Sequence, residues 1–100
     1  MLPLGRKAME TEKQFLGTIS ILLKARERKS ETINKILTDA SHIVLARSGI
    51  NIEPRCAENC LGVITVFARG SKEQIKELED KLAAVENCEV RSCVFESISA

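Results

Sequence analysis

Cys56 and Cys60 are the side chains of this chain best suited to chemistry. They flank Ala57, Glu58 and Asn59 in a polar stretch. Two soft thiolates could grip zinc or an iron–sulfur cluster, given further ligands. Known zinc and cluster motifs more often set two residues between the thiols, not three. Cys88 is a candidate third ligand. It requires the loop to fold across two strand spacings, roughly 10 Å. Cys93 is worse placed, further along the same segment and on its other face, and Glu58 or a second chain would complete the set. The plainer reading, small residues in a surface loop and a strand, is the commoner outcome for so short a motif.

The other candidates are basic. Lys24, Arg26, Arg28 and Lys29, broken by Glu27, form a charged turn just before a helical pattern. A helix N-terminus adds partial positive charge, so an anion or phosphate could settle there, although charge runs are usually solvated surface. Arg47 stands near the end of an otherwise apolar strand. It either orients a ligand at a subunit interface or pairs with Glu53. His42, beside Ser41, is the single histidine and reads as a turn or strand-edge residue. No spacing suggests a Ser/His/Asp or Cys/His/Asn set, and there is no phosphate-cradling glycine loop, so an enzyme is not expected.

The elements that position these residues follow from periodicity. Phe15, Gly17, Ile19, Ile21 and Leu23 alternate with Thr18 and Ser20, the period of a strand. Ser30 is a candidate helix cap, followed by Ile33, Ile36, Leu37 and Ala40 at helical spacing. A second strand spans His42 to Ile50, and residues 51–59 are a loop. Leu61 to Ala68 is apolar on both faces, as a central strand would be. Ser71 to Gln74 is a capping box, and Ile75, Leu78, Leu82 and Val85 form the next helical stripe. Asn87 ends that helix, and Cys88 to Phe95 alternates again.

This βαββαβ order predicts an α+β, ferredoxin-like two-layer sandwich: a four-stranded antiparallel sheet with two helices on one face. Residues 1–13 read as a disordered or arm-like extension, 14–96 as one domain and 97–100 as a frayed tail. Met1 to Lys13 holds no continuous apolar run, so neither a signal peptide nor a membrane span is expected, and a cytoplasmic address follows. In a reducing compartment metal, redox or packing roles for cysteine outrank disulfides.

The net charge is +1, and the chain has no Trp, no Tyr and three Phe. It therefore lacks both an electrostatic footprint for nucleic acid and platforms for base stacking. A domain of 100 residues leaves much apolar surface near water. Either Val63 and Phe67 or Ile64 and Val66 must face away from the helices, which predicts a homodimer or homotetramer through sheet surfaces.

Ile33–Leu37, His42–Ile50 with its Arg47-Ser48-Gly49-Ile50 end, Gly62–Val66 and Ser71–Val90 together carry a family likeness. Over residues 14–95 the chain resembles the small ACT-like proteins proposed as regulators of iron-only hydrogenase systems. Those are similar in fold to the C-terminal ligand-binding domain of nickel-responsive repressors. The resemblance implies an ACT-like fold, assembly through sheet surfaces and a regulatory role, with no catalytic motif. Three departures stand out. Nickel repressors use several histidines; this chain has one. Amino-acid-sensing ACT domains carry an Asp-x-Pro-Gly-like turn where this chain has Ala25 to Ser30. Thirteen residues before the first strand do not hold a helix-turn-helix, so specific DNA binding by the chain itself is not expected.

The reading is a ligand-binding and oligomerising regulatory domain. Arg47, Arg26, Arg28 and Lys29 are its ligand candidates, and Cys56, Cys60 and Cys88 its metal candidates. Zinc or an iron–sulfur centre at these cysteines is the cofactor option. The alternatives are a cysteine-based metal or redox sensor built on the Cys56/Cys60 loop, or an accessory assembly factor acting through a protein partner.

Overall fold

The computed structural model describes residues 13–53 and 55–97. The arm and most of the tail expected at the two ends lie outside the described residues. The elements run β1 (Phe15–Leu23), α1 (Arg26–Asp39), β2 (Val44–Asn51), β3 (Gly62–Gly70), α2 (Lys72–Ala83) and β4 (Cys88–Ser97). The sheet order is β2-β3-β1-β4, and every neighbouring pair is antiparallel. This is the two-layer sandwich expected from the sequence.

Alternation in the strands sorts the side chains into two layers. Ile19, Ile21 and Leu23 of β1 and Val66 and Ala68 of β3 are buried with Ile33 and Leu37 of α1 and Ile75, Leu78 and Leu82 of α2. Both helices therefore cover the same face. Ile64 pairs with the fully buried Ile21 and packs against this core. Val63 pairs with Leu22 on β1 and with Ile50 on β2, so it is Val63 and Phe67 that face away from the helices.

The start of α1 differs from expectation. The Lys24–Lys29 segment is not a turn: α1 begins at Arg26, and Ser30 lies inside it. Ala25 precedes the helix without a side-chain cap. The first orphan amide is served by tertiary structure, because Arg26 N–H donates to the Cys60 carbonyl at 3.0 Å. The Ser30 hydroxyl bonds back to the Arg26 carbonyl. α2 keeps its sequence signature: Gln74 N–H donates to Ser71 Oγ at 3.1 Å, and Gln74 Oε1 accepts from Ser71 N–H at 2.9 Å. The second strand starts at Val44, leaving His42 exposed in the preceding turn. Asn87, at φ 63°, takes the left-handed conformation that Asn tolerates and turns the chain into β4.

The two serines should respond differently to truncation. Ser71→Ala is expected to cost about 1 kcal/mol in urea unfolding, as the loss of an N-cap does. Ser30→Ala should be neutral or slightly stabilising, because a mid-helix hydroxyl bonded to the carbonyl four residues back contributes little. Equal costs at the two positions would contradict this reading of the α1 start.

Candidate functional site

Four of the sequence candidates, Arg26, Arg28, Cys56 and Cys60, lie at one end of the sheet, where α1 begins, β3 begins and the β2–β3 loop passes. Glu27, in the first turn of α1, holds this end together. Its carboxylate accepts from Asn59 N–H at 2.7 Å and from Cys60 N–H at 3.1 Å. Arg28 donates to Asn59 Oδ1 at 2.6 Å and lies 4.0 Å from Glu27. Asn59 adopts φ 54°, which aims its amide at the helix. The Glu27 carboxyl is held below its ordinary value of 4.5, first by its own backbone N–H, then by those of Cys60 and Asn59 and by the charge of Arg28, with burial opposing.

The same clamp closes the cysteine pair. Cys56 and Cys60 form a disulfide with their Cα atoms 5.6 Å apart, inside the range such bonds span. The sequence reading places thiol roles above a disulfide; here the two sulfurs stand at disulfide distance, in a loop whose second cysteine is pinned to α1. Cys88 is not part of this group. It opens β4 opposite Leu23, half-buried, with its thiol pushed up by burial against a smaller opposing effect of Lys29. Among the described residues no three His, Cys, Asp or Glu side chains are gathered to hold a metal ion. Cys93 is exposed on the helix-free face, opposite Thr18.

The basic candidates also separate. Arg28 is engaged with the loop, and Lys29 lies 4.0 Å from Glu86. Arg47 sits exposed on the edge strand opposite Val66, and Glu53 instead accepts from Leu61 N–H at 3.3 Å. Arg26 alone turns inward. Its side chain lies across Gly62 and lines a cavity of about 150 Å³ with Leu23, Gly49, Asn51 and Ile64. A broader hollow of about 690 Å³ on the outer side of α2, walled by Glu73, Glu77 and Asp80, is charged helix surface open to solvent.

Sequence reasoning missed Glu27 as the clamp and treated it only as a break in the basic run. It also missed that Gly49 and Gly62 both occupy helix-facing positions. For Gly62 a signal existed, since it shares the period-two face of Ile64 and Val66. For Gly49 none did, because a register shift between Val44 and Ala46 decides which face it takes.

The sequence signature of the TM1266-like family, described as a proposed iron-only hydrogenase system regulator, matches residues 15–92. The chain belongs to this family. Among solved structures it is similar to the uncharacterized protein TM1266 from Thermotoga maritima, at 20% identity and TM-score 0.73, over 84% of this chain and 100% of that one. It is also similar to CPII bound to ADP, AMP and acetate from Thiomonas intermedia K12, at 14% identity and TM-score 0.53, over 88% and 93%. A de novo designed protein, Foldit4, matches at 18% identity and TM-score 0.52, over 83% and 97%. At these identities the likenesses establish the fold alone. No curated protein sequence matches the chain. Among the described residues no helix is long and apolar enough to cross a membrane.

Because the Glu27 carboxyl is held low, the stabilisation from its loop contacts is complete above the ordinary glutamate value and is lost as pH falls through the lowered one. Protection factors of the Asn59 and Cys60 amides, taken relative to the intrinsic exchange rate at each pH, should therefore fall on acidification. Glu27→Gln should loosen the loop at neutral pH, since an amide nitrogen would face one of the two N–H donors. Unchanged protection in both experiments would remove Glu27 as the clamp.

Proposed function

We propose that this chain is a regulatory domain that works by binding rather than catalysis, pairing with a second copy through the helix-free face of its sheet and responding to a small ligand. Membership of the TM1266-like family supports the regulatory part.

The observation behind the pairing is the composition of the open face. Leu22, Val63 and Ile50 form a row across three adjacent strands at one end. Ser20, Thr65 and Ser48 form the next row, with Ser20 and Thr65 hydrogen-bonded at 3.2 Å. Beyond it Phe67 is 38% exposed, and Phe95 near the end of β4 is 52% exposed. Apolar side chains in the middle of a sheet, with no helix above them, gain by meeting a like surface. A two-fold pairing makes such a face self-complementary. The near-neutral charge of the chain, +1 overall, adds little repulsion between copies.

Light scattering should give at least a dimer at micromolar concentration. Val63→Lys should reduce the mass to that of a monomer, since it places a charge in the apolar row. Cys93, on the same face, should alkylate more slowly in the assembly than in Val63→Lys. A monomeric wild type, or an unchanged mass in the variant, would show the interface to be elsewhere.

DNA regulation, on this reading, passes through a ligand or a second protein. α2 mixes Glu73, Glu77, Glu79 and Asp80 with its lysines, so it offers no basic face to a groove. The expected result is no salt-resistant, sequence-specific mobility shift with the chain alone. Such a shift at nanomolar protein would overturn this part of the proposal.

A further inference from the structure

The cavity beneath the start of α1 has a physical cause. Gly62 and Gly49 face the helix layer, where neighbouring positions carry Ile64 and Val66. Two missing side chains leave space that α1 does not close. Arg26 occupies part of it. A Cβ on Gly62 would stand 2.8 Å from Arg26 Cδ, so the aliphatic stem fills the room that the glycine vacates. What remains is about 150 Å³.

The guanidinium is the unusual part. Arg26 Nε is shielded from solvent and has no hydrogen-bond partner. Leaving such a donor unmade is costly, more so on a charged group. The nearby carboxylates are committed elsewhere: Glu27 to the loop amides and Glu53 to Leu61 N–H. No acidic side chain lines the cavity. The Ser30 hydroxyl, also on the wall, is occupied by the Arg26 carbonyl. The apolar part of the remaining wall comes from Leu23 and Ile64, with Asn51 at the strand end.

We infer that this cavity is the binding site for a small organic carboxylate, its oxygens on the Arg26 guanidinium and its short apolar tail against Leu23 and Ile64. This deepens the ligand-responsive reading above by naming the ligand class and the residue that holds it. A planar guanidinium matches a carboxylate in two parallel hydrogen bonds. The apolar wall favours a carboxylate with a hydrocarbon tail over a fully hydrated inorganic anion. The space is on the order of five waters by liquid volume, which suits a ligand of about five heavy atoms.

The test is a titration of the ¹⁵N-labelled full chain with sodium propionate, beside sodium phosphate and sodium chloride at matched ionic strength. Saturable shifts of the Gly49, Asn51 and Gly62 amides and of Arg26 Nε–H are expected with propionate alone. Arg26→Met keeps a linear stem and removes the buried donors. It should weaken propionate binding on the order of tenfold or more while leaving the urea midpoint unchanged or higher. A lowered midpoint would instead give Arg26 a structural role and overturn the inference. Gly49→Ala tests the space independently: its Cβ meets ordinary contacts of 3.6 Å or more, so the strand tolerates it while the cavity narrows. Retained binding in either variant, no saturable shift in the wild type, or a response to phosphate alone would each overturn the proposal. Light scattering on the same samples separates the two readings. A dimer indifferent to propionate leaves the pairing intact and removes this site, and a monomer that binds propionate does the reverse.

Discussion

One constraint organises the molecule: both helices lie on a single face of the sheet. β1 is paired on both edges, by β3 and β4, and its alternate residues Ile19, Ile21 and Leu23 are almost wholly buried. A core of this size has no second layer to spare. The alternate residues Thr18, Ser20 and Leu22 lie on the opposite face, which no described helix covers. The buried face accounts for stability, and the cavity beside Arg26 lies where the helix layer ends.

At that end the structure joins three distant pieces through α1. Arg26 N–H takes the Cys60 carbonyl, and the Glu27 carboxylate takes the amides of Asn59 and Cys60. The loop in turn supplies the helix with the cap that Ala25 lacks. This reciprocity explains why the helix starts earlier than its side chains suggest. The same contacts hold the loop that carries both cysteines. Arg26, held at the first position of the helix, lays its stem over Gly62.

The chain shares its fold with a solved TM1266 structure at 20% identity. Similar folds at low identity include a designed protein, so the sandwich by itself specifies no ligand. In this chain the candidate site is local: two glycines facing a helix, an arginine beneath it and a clamped loop.

Most of the architecture was legible in the sequence because the signals are local. Period-two alternation from Phe15 to Leu23 and the Ser71–Gln74 box depend on near neighbours, and both appear as read. The outward choice between Val63 and Ile64 could be framed from the sequence but not decided. It depends on which β1 residue each one pairs with, a contact between residues more than forty positions apart. The start of α1 was misread because its cap comes from Cys60, far along the chain. The basic residues looked alike in sequence, yet tertiary structure sends Arg28 to the loop, Lys29 toward Glu86, Arg47 to an exposed edge and only Arg26 inward. Local patterning fixes which residues are helix or strand. Which charge is buried, and what it is left to bind, is set only when distant backbone segments close around it.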